Sequence, residues 1–121
     1  MLKINSTKFG SLKINGKNYR YDRLIIDDQV RPRDYARLKE KYGTGHRIDP
    51  EEIDLLISNN PYAIIIGTGQ NGVLKVDDFT KEKIKKQKIK LIIDKTPQAI
   101  KKFNQLIVEG KKVNALIHTT C

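Results

Sequence analysis

Three short apolar runs, set apart by stretches with helical spacing, constrain this chain more than any other feature. They are YAIII at 62–66, IKLII at 89–93 and VNALI at 113–117. Each is too short for a helix. None shows the strict alternation of a half-exposed strand, so each predicts a strand covered on both faces, as in a parallel sheet. The segments between them carry helix signals. Thr96-Pro97 reads as a cap followed by Pro at the first helical position, Ile100, Phe103, Leu106 and Ile107 share one face, and Gly110 closes the helix. A second helix is predicted over 78–87. A third begins at Asp49-Pro50-Glu51-Glu52, with Asp as N-cap and Glu at the capping-box position, and stops at Asn59-Asn60-Pro61. Val73-Leu74-Lys75-Val76 alternates and is expected to be a short strand. The final β-α-β is a right-handed parallel crossover.

The N-terminal part reads as β. Residues 9–14 alternate weakly, and Asn15-Gly16 is a two-residue hairpin turn because both positions tolerate positive φ. The return strand runs through Lys17 to Tyr21 towards Leu24-Ile25-Ile26, and Asp27-Asp28-Gln29 turns the chain. Residues 31–47 are the least legible, with a short helix expected over 34–42, capped by Asp34 and ended by Gly43. The fold class expected is a single three-layer α/β domain over residues 1–121, with a mixed, largely parallel central sheet beside an N-terminal β-hairpin region.

A chain of 121 residues is one domain by length and buries enough surface to fold without a metal or disulfide. The single cysteine, Cys121, permits no internal bridge, which fits a reducing compartment. No apolar run approaches a membrane span or the core of a signal peptide, so the expectation is a soluble cytoplasmic protein without a membrane partner. Lys and Arg number 24 against 14 Asp and Glu, a net charge of +10. That balance permits nucleic acid, but the densest cluster, 81–88, has helical spacing and reads as a solvated helix face. The few aromatics form no stacking cluster, so a nucleic-acid partner is not expected.

Gly67-Thr68-Gly69-Gln70-Asn71-Gly72 matches G-x-G-x-x-G. A dinucleotide fingerprint needs a helix at once after the loop, to bind the pyrophosphate. Here strand-like residues follow, so the glycines are read as a sharp turn with close backbone packing, and no cofactor is expected. The loop has a different interest. If the three apolar strands are parallel, their carboxyl ends bring together Gly67 to Gly72, Asp94-Lys95-Thr96 and His118-Thr119-Thr120-Cys121 on one sheet edge, where ligands usually sit. The helix at Pro97 has no acid in its first turn and Lys95 before it, which favours a small anion. The candidate ligand-binding residues are Gly67, Thr68, Gly69, Gln70, Gly72, Lys95, Thr96, His118, Thr119, Cys121 and His46.

His118, Cys121 and His46 also raise metal or thiol chemistry, but no C-x-x-C accompanies them. The plainer reading is a polar surface His and a small packed Cys, with no metal site. Asn104 lies on the inward helix face and needs hydrogen bonds there, expected from backbone near the glycine loop or the last strand. No G-x-S-x-G, Walker loop or H-E-x-x-H is present. No catalytic residue is therefore nominated.

Phe9-Gly10-Ser11, Asn15-Gly16-Lys17 with Tyr19, Gly43-Thr44 with His46, Ile66-Gly67-Thr68-Gly69-Gln70, Thr96-Pro97-Gln98-Ala99, Phe103-Asn104, Glu109-Gly110 and the run Ala115 to Cys121 together resemble the Mth-domain family of unknown function. Its members include an adipogenesis-associated protein and a mitochondrial complex I assembly factor. The likeness covers nearly the whole chain. It implies one Mth-like domain, with a hammerhead-like β region beside a mixed sheet, no established catalytic activity, and a non-enzymatic interaction or assembly role with a protein partner. A binder or converter of a small anion at the sheet's carboxyl edge is the alternative, and a basic nucleic-acid-associated protein the second.

Overall fold

The computed structural model describes residues 1–121. Its centre is β6 (Ala63–Thr68), which pairs in parallel with β7 (Lys90–Asp94) on one side and β8 (Val113–His118) on the other. β4 (Arg23–Ile26) runs antiparallel to β8, and β5 (Gln29–Pro32) antiparallel to β4, giving the five-stranded order β5-β4-β8-β6-β7. A separate antiparallel sheet holds β1 (Ile4–Lys8), β2 (Ser11–Ile14) and β3 (Lys17–Arg20). The three apolar runs thus form parallel strands, all running the same way.

Both faces of β6 and β8 are buried along their whole length, and the alternation along them divides the core in two; β7, expected to be covered on both faces, is an edge strand and only half-buried. Ile65, Ala115, Ile117 and Ile25 face α4 (Thr96–Val108) and the small sheet, where Phe103, Ile4, Leu12 and Ile14 meet them. Ile64, Ile66, Leu116, Leu24 and Ile26 face α2 (Pro50–Ile57) and α3 (Asp78–Lys86), against Ile53, Leu56 and Ile84. The result is the three-layer α/β arrangement with a mixed sheet. No helix is long and apolar enough to cross a membrane.

Local chemistry sets the boundaries. Asn15 and Gly16 (φ 48° and 80°) make the hairpin turn, and Asp27 and Asp28 (φ 51° and 61°) make the same kind of turn between β4 and β5. Tyr21 (φ 67°) breaks what reads in sequence as one long return strand, so β3 and β4 belong to different sheets. α1 (Tyr35–Tyr42) is capped by the Asp34 carboxylate and ended by Gly43 (φ 73°). At α2, Asp49 and Glu52 form a complete capping box.

Three expectations need correction. Residues 73–76 are not a strand. Both edges of β6 are already occupied by β7 and β8, so the following residues have no strand to pair with; Lys75 makes one isolated bridge to Arg47, and Leu74 is buried in the core beside α3. Thr96 does not cap α4. Lys95 holds the N-cap position without a side-chain bond, and Thr96 is the first helical residue. Asn104 bonds neither the glycine loop nor β8. Its Oδ1 accepts from the Ile4 N–H and its Nδ2 donates to the Ile4 carbonyl, both at 2.8 Å, pinning β1 to α4 beside the bulge at Asn5. The helix face is the expected one, but the small sheet packs against it. Asn104→Leu leaves both Ile4 groups without partners and is expected to destabilise the protein by about 1–3 kcal/mol, read from urea denaturation.

Candidate functional site

The carboxyl ends of β6, β7 and β8 bring together the three segments expected to meet. The Gly69 N–H donates to Thr96 Oγ1 (2.9 Å) and the Gly69 carbonyl accepts from the Thr96 N–H (3.0 Å). The Thr96 hydroxyl donates in turn to the His118 carbonyl at 2.5 Å. The amides of Gln70 and Asn71 donate to the backbone oxygens of Thr120 and Cys121. Gln70 Nε2 donates to Thr7 Oγ1 and the Thr119 carbonyl, and Thr68 Oγ1 to the Asp94 carbonyl.

These bonds explain the glycines. A Cβ on Gly67 would stand 2.9 Å from Thr96 Oγ1, and one on Gly69 would collide with the Cys121 backbone; Gly69 also has φ +107°. Gly72 (φ +74°) turns the chain with Lys95 alongside. The N-terminus of α4 is likewise engaged. Thr96 N–H goes to Gly69, Pro97 has none, and Gln98 and Ala99 bond the Lys95 carbonyl. The loop, the helix start and the tail therefore satisfy one another.

Beside this junction lies a cluster built from residues that no sequence motif marks. Asp22, just after the Tyr21 break, is buried, and so are Arg33, following β5, and Glu52, on the first turn of α2. The Arg33 guanidinium grips Glu52 with two bonds (Nε–Oε2 2.7 Å, Nη2–Oε1 2.9 Å) and Asp22 Oδ2 with a third at 2.9 Å. Its remaining donors go to the carbonyls of Gly45 and Arg47. Asp22 Oδ2 also lies 2.7 Å from His118 Nδ1, while Oδ1 accepts from the Thr119 N–H (2.7 Å) and hydroxyl (3.1 Å). Because Asp22 only accepts, Nδ1 carries the proton; in the neutral imidazole Nε2 is then the acceptor, 3.2 Å from Thr120 Oγ1, and in the imidazolium both ring nitrogens donate.

His118 is thus a buried side chain held by a carboxylate, which corrects the reading of it as a surface His. His46, from the loop after α1, sets its ring edge-to-face against it at 5.1 Å. Cys121 is half-buried and folds onto the glycine loop, and no group of three His, Cys, Asp or Glu side chains is arranged to hold a metal ion. Between the loop after α1 and the tail, a cleft of about 530 Å³ opens over this cluster, walled by Tyr35, Lys39, Thr44, His46, His118 and Thr120. Depressions of about 390 Å³ lie near Met1 and near Tyr62, but no buried ionisable side chain lines either.

The electrostatics follow from the packing. Burial pushes the Asp22 carboxyl up, but the hydrogen bond and charge of His118, the Thr119 N–H and the Arg33 charge outweigh it and hold the group at about 2. The Tyr35 hydroxyl is pushed up by burial and by the neighbouring Asp22 carboxylate. Of the residues named from sequence, His46 and His118 line the cleft, while Gly67, Thr68, Gly69, Gln70, Gly72, Lys95, Thr96, Thr119 and Cys121 form the adjoining junction. One signal in the sequence does point to the pairing of His118 with Thr120. His118 and Thr120 are two apart and so share a face of an extended segment.

Fold and site together define an α/β protein with a buried Asp–His–Arg–Glu network beneath a cleft at the carboxyl edge of a mixed sheet. The chain belongs to the family described as "Protein of unknown function (DUF498/DUF598)", whose model matches residues 4–118. Among solved structures it is similar to MT938 (31% identity, TM-score 0.81, covering 100% of each chain). It is similar also to the conserved hypothetical protein PH1505 from Pyrococcus horikoshii OT3 (30% identity, TM-score 0.80, covering 98% of this chain and 99% of that one). A Bordetella pertussis protein described as a Mth938-like domain shares the fold at 14% identity and TM-score 0.60, covering 97% of this chain and 85% of that one. The Mth-domain resemblance is therefore borne out.

Two outcomes are expected. Gly69→Ala forces a Cβ into the Cys121 backbone at a positive φ and should cost about 1–3 kcal/mol, with faster amide exchange at Gln70 and Asn71. The Asp22 carboxyl is held well below its unfolded value of about 3.9, so the unfolded chain binds more protons in acid. The stability this confers is complete above about pH 4 and lost as pH falls towards about 2, roughly 2 kcal/mol in all. Urea midpoints measured across that window should fall less in Asp22→Asn than in the parent.

Proposed function

We propose that this protein binds a small anionic molecule in the cleft between the loop after α1 and the tail. The observation that carries the reading is the pair of imidazoles in the cleft wall, His46 against His118, with Lys39 at the same opening. His118 is fixed from below by Asp22, so its orientation needs no reorganisation when a ligand arrives, and it takes an anion as the imidazolium, donating from Nε2. Thr44 and Thr120 add hydroxyls to the lining. A cleft of this size with a few convergent polar groups suits a small molecule, and the net charge of +10 steers anions towards it.

This reading keeps His46 and His118 as ligand contacts. It gives Gly67, Thr68, Gly69, Gln70, Gly72, Lys95, Thr96, Thr119 and Cys121 the task of locking the tail beside them, because the donors of Thr68, Gly69, Gln70, Thr96 and Thr119 already serve protein oxygens. The anion therefore sits next to the glycine loop rather than inside it. Inorganic phosphate and citrate are the probes. At 100 times its dissociation constant, either should stabilise the fold by about 2.7 kcal/mol in thermal melts. His46→Ala should lose most of that gain while melting close to the parent without ligand. No stabilisation by either anion, or an equal gain in His46→Ala, would overturn the reading.

A further inference from the structure

We propose that Thr120, His118 and Asp22 act as nucleophile, base and orienter, and that the cleft hydrolyses esters of small carboxylic acids through an acyl-threonine. The inference rests on the cleft being a ligand site and adds a reaction to it.

Three features of the geometry point this way. Thr120 Oγ1 lies 3.2 Å from His118 Nε2, within the reach a hydroxyl nucleophile needs from its base. His118 Nδ1 lies 2.7 Å from Asp22 Oδ2, which sets the tautomer with Nε2 unprotonated. Asp22 cannot rotate away, since Arg33 holds Oδ2 and Thr119 holds Oδ1 twice. The orienter and base are buried while the nucleophile is half-exposed and lines the cleft, the gradient of access such a set requires. The tail does not need the Thr120 hydroxyl for anchorage, because Gln70, Asn71, Val73 and Asp22 already hold its backbone.

The chemistry balances without a further reagent beyond water. The Thr120 hydroxyl gives its proton to His118 Nε2 as Oγ1 bonds to the ester carbonyl carbon. His118 then gives that proton to the leaving alcohol oxygen as the carbon–oxygen bond breaks, leaving acyl-Thr120. Water attacks the acyl carbon and gives a proton to Nε2; that proton returns to Oγ1 as the acid departs. Oxidation states do not change. The ring of His46 and the ammonium of Lys39 share the cleft with the carbonyl and favour the negative charge that develops on its oxygen.

The test incubates the full chain with p-nitrophenyl acetate, following nitrophenolate release and mapping acetyl groups by mass spectrometry. Acetylation at Thr120 should exceed that at surface lysines. Thr120→Val and His118→Gln should lower release on the order of 100-fold or more, and Thr120→Ser should keep it. Thr120→Val removes only a half-exposed hydroxyl, so its melting curve shows whether the fold survives if His118→Gln does not. Acetyl groups on lysines alone, or unchanged release in Thr120→Val, overturn the inference while leaving anion binding intact. Acetyl-Thr120 without stabilisation by phosphate or citrate supports the reaction and overturns the anion reading instead.

Discussion

Arg33 is the group around which the edge of this molecule is organised. A buried guanidinium carries five donors and cannot shed its charge, so every donor needs a partner. Here each has one: Glu52 twice, Asp22 once, and the carbonyls of Gly45 and Arg47. Those partners come from α2, from the corner between the two sheets, and from the loop after α1. Breaking such a pair from one side typically costs about 3–5 kcal/mol, because a charge is left buried alone. The cluster therefore fixes relative positions that apolar packing, being non-directional, leaves adjustable.

The same constraint reaches the tail through Asp22. One of its oxygens is shared by Arg33 and His118 and the other is taken by Thr119, so the end of β8 is tied to the corner after β3. The opposite side of the tail is tied to the glycine loop by the amides of Gln70 and Asn71. Two independent sets of bonds thus hold residues 118–121 in one place. This wall of the cleft is held by hydrogen bonds from both sides, as the proposed roles of His118 Nε2 and Thr120 Oγ1 need.

What can be read from sequence divides along the range of the interaction. The central strands, the helix starts at Pro50 and Asp34, the Gly43 stop and the Asn15-Gly16 turn are set within a few residues, and all are legible. The junction of glycine loop, helix start and tail is legible too, because parallel strands in one sheet must end together. The strand expected at 73–76 fails for a non-local reason: its would-be partner is already paired on both edges. Asn104 falls on the expected face but meets a different neighbour, since nothing local says that the small sheet covers α4. The Asp22–Arg33–Glu52 cluster escapes entirely. Its members sit 11 and 19 residues apart and meet only once both sheets are formed. The spacing of His118 and Cys121 suggests a pair, yet the two-residue period of an extended segment points instead to Thr120.

The glycine motif and the cleft lie side by side, yet they do opposite things with their polar groups. In the loop, the amides of Gly69, Gln70 and Asn71 are consumed by oxygens of the protein itself, and the missing side chains leave room for backbone rather than ligand. In the cleft, the buried groups are satisfied from beneath, and the side chains that line it, His46, Lys39, Thr44 and Thr120, reach the opening. A motif that looks like a phosphate cradle is thus used to close a junction. The histidine and threonine that reach the adjoining cleft owe their position to that closure. The glycine signal marks the scaffold, and the proposed chemistry sits one residue layer away, on the segment the scaffold holds in place.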